Sequence, residues 1–494
     1  MNKLTSLFLT FIGLIFSIPL SPIFQVPGYD REVYRYVGMM ITHGGVPYRD
    51  IFEHRPPGFY FLAAIFDFMG PWGIWFGTTL LAVVASLYLY HVLKNEGVVW
   101  PWFGPLVYLF LIRSNLIIEG GGLSREMSSA LLLICFVRVF QVKKLDFFQG
   151  ILIGLIFMTQ PNDILGFFPV FLYLLFVSRD KLREFFYFLL GSSFIPILTL
   201  IYLGLSGALG DFVYQSFVFN MKHYKVDRSF GSLSENFYGI TTQNGLFQLG
   251  LFLIICFAII IFFNRKKITK KFVTVFAVLF ICFLMQCWSA VASGRFYSYY
   301  FLNVLPFFAL AFAFLIQEIH QVLSKYQKYT LFIPIFVFIA FFYVSKNDIV
   351  TKLSESYKAY PTYKYGFYDR WLPMLEEVRG QKGQLYVMRY AQALCLNTDL
   401  NIIAPSRWAY THFWNILPGS WDPEGKTIDE IARDLDKFST KYVLDFSIER
   451  PMPEAIQKKW QDYLTNHYEL VGEVSGLGRM MKRLNELQVI EKHN

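Results

Sequence analysis

Charge is scarce in this sequence. Only 16% of its 494 residues are Asp, Glu, Lys or Arg, against roughly 25% in a soluble domain. Too few charges are present to cover a water-facing surface of this size, so an ordinary soluble chain is excluded, as are disordered and collagen-like ones. Cysteine is scarce too. Cys135, Cys256, Cys282 and Cys287 sit in apolar runs and Cys395 stands alone. None has metal-ligand spacing with histidine, and a structural disulfide network is excluded. Cys282 and Cys287 read as lipid-buried thiols rather than a redox pair. Neither a GxGxxG loop nor a P-loop is present, so no nucleotide fold is expected. Internal repeats and low-complexity segments are missing as well.

What the chain has instead is apolar bulk: 55% hydrophobic residues, with 54 Phe, 31 Tyr and 10 Trp. Mean hydropathy is +0.40. These figures describe an integral membrane protein whose first partner is the lipid bilayer. The net charge of +9 is unevenly placed. Residues 346–494 carry 20 basic and 20 acidic side chains, which leaves 25 against 16 in residues 1–345. A basic excess confined to the apolar part reads as cytoplasmic loops. A nucleic-acid partner would need a basic soluble face, and none is visible.

Met1-Asn2-Lys3 precedes the apolar run Leu4–Leu20, which reads as an uncleaved first span with the N-terminus in the cytoplasm. Further spans are expected at 74–93, 98–112, 127–142, 147–160, 164–177, 185–204, 246–263, 272–291, 299–317 and 329–345, about eleven helices in all. With that count every inner loop is basic: Lys94; Lys143 and Lys144; Arg179, Lys181 and Arg183; Arg265 to Lys271; Lys325 and Lys328. The outer segments are then 21–73, 113–126, 161–163, 205–245, 292–298 and 346–494, and the C-terminus lies outside. The run 57–69 is too short to span and is expected to be interfacial or re-entrant. The domain reading is a transmembrane domain over 1–345, with the outer loop 21–73, and an extracytoplasmic domain over 346–494.

The tail alternates strand-like and helix-like stretches. Strands are expected at Gln384–Arg389, Tyr442–Phe446, Leu470–Val474 and Arg479–Arg483, and helices at Ile428–Lys437 and Ala455–His467. The fold class is therefore an all-α polytopic membrane domain with a small C-terminal α/β domain.

Ionisable groups gather in the outer loops, at the water-facing ends of the spans. A transporter more often places them at mid-membrane. The richest stretch runs from Pro27 to Tyr60. Tyr29, Val33 and Tyr36 recur at helical spacing, so 30–42 is expected to be an amphipathic helix lying on the membrane surface. Asp30 stands at its start, where a carboxylate meets the positive helix end. Glu32, two positions on, points about 200° away, so the two acids do not share one site.

These residues carry a resemblance. An acid soon after the first span, then Gly44-Gly45-Val46-Pro47-Tyr48-Arg49-Asp50, then His54-Arg55-Pro56-Pro57, resembles the first outer loop of polyprenyl-phosphate-sugar-dependent transferases. The nearest likeness is to bacterial members of glycosyltransferase family 39, related to protein O-mannosyltransferases and to the aminoarabinose transferases of lipid A, which share the membrane-embedded GT-C fold. Gly120–Glu126, Met158–Asn162 and Ser293–Tyr300 leading to Pro306 match three further segments of that family in order. The likeness covers roughly residues 1–345, and more weakly the tail. The sequence departs from it where Arg31 follows Asp30 in place of a second acid, at Arg55 for the usual Lys, and at Ser298 for the usual His.

The resemblance implies an inverting glycosyltransferase on the outer face of a bacterial cytoplasmic membrane. Its donor would be a sugar on a polyprenyl phosphate, and its acceptor a glycan, lipid or protein of the envelope. Asp30 would be the catalytic base, with Glu126 a second catalytic acid that orients it or the acceptor. Arg55, Arg295 and Arg125 would bind the donor phosphate. Glu53, His54, Gln160, Asn162, Tyr297 and Tyr299 would line the substrate site. No cofactor is firmly indicated; a divalent metal is compatible with the resemblance, but no residue pattern asks for one. Structural readings stand beside these roles. Asp30 can serve as a helix cap, Arg55 can snorkel to headgroups, and Arg295 with Tyr297, Tyr299 and Tyr300 can form an aromatic belt. Glu126 can pair with Arg125, Gln160 and Asn162 can form a turn at Pro161, and His54 can hydrogen-bond Glu53. The loop 205–245, with His223, Tyr224, Lys225, Asp227 and Arg228, is a candidate cover over the site or a plain connector. The alternative function is a lipid-linked polysaccharide polymerase or ligase, or a glycan-lipid transporter.

Overall fold

The computed structural model describes residues 3–24, 28–113, 121–223, 270–291, 297–322, 364–411, 422–474 and 477–484, with residues 234–235, 237–239, 249–250, 254, 354 and 357–358 between them. Its Cα positions form two compact units. The first holds Met1–Phe24, Trp75–Thr199 and Val226–Glu355; the second holds Gln25–Ile74, Leu200–Lys225 and Ser356–Asn494. The second unit is therefore discontinuous in sequence and gathers an early segment, a middle segment and the tail.

The first unit is helical. Five helices among the described residues are long and apolar enough to cross a membrane: Lys3–Leu20, Trp72–Asn95, Lys181–Leu205, Val273–Val291 and Ser298–Gln321. Phe103–Arg113, Phe147–Thr159 and Pro161–Val177 are apolar but shorter. The helix expected over 98–112 begins only at Phe103, because Pro101 falls in a turn before it. Ser124–Val142 forms the helix expected over 127–142 and extends it by one polar turn. Of the expected span 246–263 only residues 249–250 and 254 are described, and 329–345 lies outside the described residues.

Local sequence explains several of these helices. Asp146 caps Phe147–Thr159 by accepting from the Gln149 amide at 2.8 Å, and Gln149 returns the bond to the Asp146 amide at 3.0 Å. This reciprocal pair satisfies two donors that a helix start leaves open. The same helix crosses Lys181–Leu205 at Gly150 and Gly191. A Cβ on Gly191 would stand 2.1 Å from the Phe147 carbonyl oxygen, so the close crossing requires a residue without one.

In the second unit the tail builds a four-stranded sheet from β1 (Leu385–Met388), β2 (Tyr442–Asp445), β3 (Tyr468–Val474) and β4 (Gly478–Arg483), in the order β1-β2-β4-β3. β1 and β2 run parallel, with Leu385 opposite Tyr442. β4 is antiparallel to both β2 and β3, with an irregularity between Leu470 and Gly472. β1 and β2 are buried along their whole length, as parallel strands covered on both faces are. Helix Lys426–Lys437 lies in the connection between them, and Glu454–His467 precedes β3. Every strand and helix expected in the tail is present within two residues of its expected ends.

The helix expected over 30–42 forms as Tyr29–Thr42, but it is not a surface helix. Arg31 to Met40 are all buried. It packs on Gly58–Ile65, where a Cβ on Gly38 would meet the Ala63 backbone at 2.8 Å, and on the tail helix Leu394–Asp399. Its polar face is buried because each charge finds a partner within the unit. Glu32 lies 3.2 Å from Arg31 and 3.5 Å from Arg35, and Arg35 pairs with Asp399.

Candidate active site and a second polar cluster

In the second unit the helix Tyr29–Thr42 starts at Gly28, which offers no side-chain cap. Asp30 and Glu32 in the first turn face the positive helix end instead. Glu32 is held on Arg31 and Arg35, as above. Asp30 points elsewhere and accepts from Arg55 Nη2 at 2.6 Å. The separation expected from 100° per residue is thus realised: two acids two residues apart serve different partners.

Arg55 bridges two carboxylates. Its Nη1 donates to Glu53 Oε1 at 3.0 Å while Nη2 holds Asp30. The Asp30 and Arg55 side chains keep 15% and 18% exposure, whereas Glu53 has none. Glu53 Oε1 also accepts from the His54 amide at 2.9 Å and the Arg55 amide at 3.2 Å, and His54 Nδ1 lies 3.2 Å from it. Its Oε2 accepts from the Tyr410 hydroxyl. Burial pushes the Glu53 carboxyl up, but Arg55, His54 and Tyr410 outweigh it and hold the group below the usual carboxylate range. Burial, with Glu53 beside it, pushes the Tyr410 hydroxyl well up, so Tyr410 remains a donor. Among the described residues one guanidinium here holds two carboxylates. Sequence reading assigned Arg55 to the donor phosphate; its guanidinium here spans Asp30 and Glu53.

The loop that presents these groups is fixed from two sides. The Glu53 amide donates to Gln215 Oε1 at 2.8 Å, Gln215 Nε2 donates to the Tyr48 carbonyl at 2.8 Å, and Asn220 Nδ2 donates to the His54 carbonyl at 2.8 Å. From the tail, Phe52 stacks on Trp408 at 4.5 Å between ring centres, and the Phe52 amide donates to the Arg407 carbonyl at 2.7 Å. Tyr48 takes a positive φ of 72° and closes the turn by donating its hydroxyl to the Arg55 carbonyl at 2.7 Å.

The first unit holds its own polar cluster. Arg113, the last residue of its helix, donates from Nη1 to Glu126 Oε2 at 2.8 Å, from Nη2 to Thr79 at 2.6 Å and from Nε to Ser17 at 2.9 Å. Both members of that pair are 1% exposed. Arg125 lies 3.3 Å from Asp163, donates to the Tyr300 carbonyl at 2.9 Å and sits 4.1 Å from the centre of the Tyr300 ring. Ser128 and Asn303 also donate to Asp163, and Gln286 donates to its carbonyl at 2.6 Å. Among the described residues two arginines here meet two acids. Glu126 therefore pairs with Arg113, not with Arg125. Gln160 donates to Ser124 at 2.7 Å, and the Asn162 carbonyl accepts from Ser289 at 3.0 Å. Tyr297 stacks on Tyr299 at 5.4 Å, at the start of the turn Ser298–Val304.

Asp30, Arg55, Glu53 and His54 thus come together in one unit, and Glu126, Arg125, Gln160, Asn162, Tyr297 and Tyr299 lie in the other. Arg295, Tyr224, Lys225, Asp227 and Arg228 lie outside the described residues. Among the described residues no group of three or more His, Cys, Asp or Glu is placed to hold a metal ion. Sequence reasoning missed Tyr410, Gln215, Arg113 and Asp163. Arg113 had left a signal, a single charge ending an apolar run. Tyr410 left none.

No family model and no curated protein matches this chain. Among solved structures it is similar to the archaeal oligosaccharyltransferase AglB from Archaeoglobus fulgidus in complex with an inhibitory peptide and a dolichol-phosphate. That likeness has a TM-score of 0.51 at 13% identity and covers 96% of this chain and 74% of that one. The apo form of the Archaeoglobus fulgidus oligosaccharyltransferase also matches, with a TM-score of 0.48 at 14% identity over 91% and 70% of the two chains. What is shared with the first of these is the fold, along nearly the whole of this chain.

Proposed function

We propose that the chain is an inverting GT-C glycosyltransferase, with a polyprenyl-phosphate sugar as donor and Asp30 as base. The observation that carries this reading is the Asp30–Arg55–Glu53 array in a chain whose fold is similar to that of an oligosaccharyltransferase. A partly exposed carboxylate held in one orientation is what general-base chemistry needs. Asp30 takes the proton of an envelope hydroxyl as that oxygen attacks the anomeric carbon. The carbon–oxygen bond to phosphate breaks, polyprenyl phosphate leaves, and the anomeric centre inverts. Arg55 holds Asp30. Arg295, which the family resemblance places beside the donor, meets the charge that develops on the leaving phosphate. Arg125 and Glu126, paired with Asp163 and Arg113, hold their own helices in the first unit. The second unit, tail included, lies on the outer face of a bacterial cytoplasmic membrane, with the N-terminus inside.

The likeness to an oligosaccharyltransferase favours one further reading, in which an oligosaccharide on a polyprenyl diphosphate is the donor. One experiment decides between them. Purified protein in nanodiscs is given undecaprenyl phosphate or undecaprenyl diphosphate carrying labelled sugar, with envelope extract as acceptor. Transfer from the monophosphate alone is expected. Transfer from the diphosphate alone would replace the first reading with the second, and transfer from neither would remove both.

A further inference from the structure

The short peptide carrying Tyr410 is anchored on both sides. On the tail side, the Tyr386 hydroxyl at the centre of β1 donates to the Trp408 carbonyl at 2.9 Å, and Trp408 Nε1 donates to Glu430 at 2.9 Å. Arg389, just past β1 at a positive φ of 73°, donates from Nη1 to the Thr411 carbonyl at 2.8 Å, and its amide donates to Thr411 Oγ1 at 3.2 Å. On the loop side, the Ala404 amide donates to the Tyr36 hydroxyl at 2.8 Å, and Phe52 lies on Trp408. Between these anchors Tyr410 is 2% exposed and its hydroxyl reaches Glu53 Oε2. A sheet in the tail thus delivers a hydroxyl to a carboxylate 357 residues earlier in the chain.

We propose that Tyr410 and Glu53 are positioning residues of the same site, which fix the Arg55 guanidinium and through it the Asp30 carboxylate. The proposal rests on Asp30 being the base. Its geometry is a chain of four groups. Tyr410 donates to one oxygen of Glu53, Arg55 Nη1 donates to the other at 3.0 Å, and Nη2 of the same planar group donates to Asp30 at 2.6 Å. A guanidinium held at both edges cannot turn without losing both bonds. Glu53 is fully buried, so removing the Tyr410 hydroxyl takes a donor from Oε2 where burial makes a lost hydrogen bond costly. The carboxylate then turns toward other donors, Arg55 follows, and the orientation of Asp30 broadens. Tyr410 touches no reacting atom in this account. The tail domain is therefore a working part of the site.

The test is a mutant cycle on the full chain in nanodiscs, with sugar transfer and donor KM as readouts. Tyr410→Phe keeps the ring and is expected to lower kcat by about ten- to a hundredfold, the scale of one lost charged hydrogen bond, with donor KM unchanged. Glu53→Gln should lose at least as much, and either variant alone carries the test. The double variant should fall no further than Glu53→Gln, because members of one chain are not additive. In an Asp30→Asn background, Tyr410→Phe should add nothing. Losses that multiply, or that appear in KM while kcat holds, would show a structural role and overturn the proposal. So would wild-type kcat in Tyr410→Phe while Asp30→Asn is inactive, an outcome that leaves the base intact. Wild-type turnover in Asp30→Asn would instead remove the base itself, and is read separately from the Tyr410 arm.

Discussion

At the start of helix Ser124–Val142 two arginines meet two acids, and both members of the Arg113–Glu126 pair are 1% exposed. In the loop after helix Tyr29–Thr42 one arginine meets two acids, and Asp30 and Arg55 keep 15% and 18% exposure. The residue types are the same. In the first cluster, among the described residues, each arginine is paired with an acid and both pairs are sealed, which is how a fold tolerates charge in an apolar interior. In the second, one guanidinium is shared by two carboxylates, and Asp30 stays within reach of water. A balanced, closed network can hold helices together, but a group that must take a proton from a substrate has to be reachable. On the proposed function, the first cluster serves structure and the second serves chemistry.

In stability the contrast breaks most sharply at Arg113. Arg113→Ala strands Glu126 in an apolar interior, and a loss of about 3–5 kcal/mol is expected in thermal unfolding in nanodiscs. Arg113→Met combined with Glu126→Leu should recover most of it, since the pair serves packing. If the double variant stayed folded but inactive, the first cluster would have a part in the chemistry.

A smaller loss is expected at Gly191→Ala. The added Cβ meets the Phe147 carbonyl oxygen at 2.1 Å, and backbone has little room to yield. Overpacking of this kind costs about 1–3 kcal/mol, more than the better helix propensity of Ala returns. An unchanged unfolding temperature would show that the helices separate freely there.

The smallest effect is one of pH. The folded Glu53 carboxyl lies below its unfolded value of about 4.3. Its contribution to stability is therefore fully present above that value and is lost as pH falls through the folded one. The unfolding temperature should fall as pH drops below about 4, and Glu53→Gln should flatten that slope. The same slope in both proteins would mean that Glu53 is not held as an anion.

Much of this was legible in the sequence, for physical reasons. Residues 2 apart on a helix face apart, so the different partners of Asp30 and Glu32 followed from spacing alone. In the tail, the strand Tyr442–Asp445 and the helix Glu454–His467 followed from the switch in period. The environment of helix Tyr29–Thr42 did not follow. An amphipathic pattern fixes which side is apolar but not what covers the polar side, and here Arg35 finds Asp399, 364 residues on. Arg55 was legible as a site residue but not as the partner of Asp30, because the loop that follows helix Tyr29–Thr42 carries no period that would bring them together. Tyr410 was illegible for the same reason at greater range.

The central claim is that the chemistry belongs to Asp30 and not to the balanced cluster around Glu126. Single-turnover sugar transfer from undecaprenyl phosphate, measured side by side in Asp30→Asn and Glu126→Gln with both proteins verified as folded, tests it most directly. Loss of a general base typically costs about 10²–10⁴-fold in rate. The account predicts that loss in Asp30→Asn, with donor binding intact, and measurable transfer in folded Glu126→Gln. Normal turnover in Asp30→Asn together with an inactive Glu126→Gln would contradict it and move the base to the other cluster.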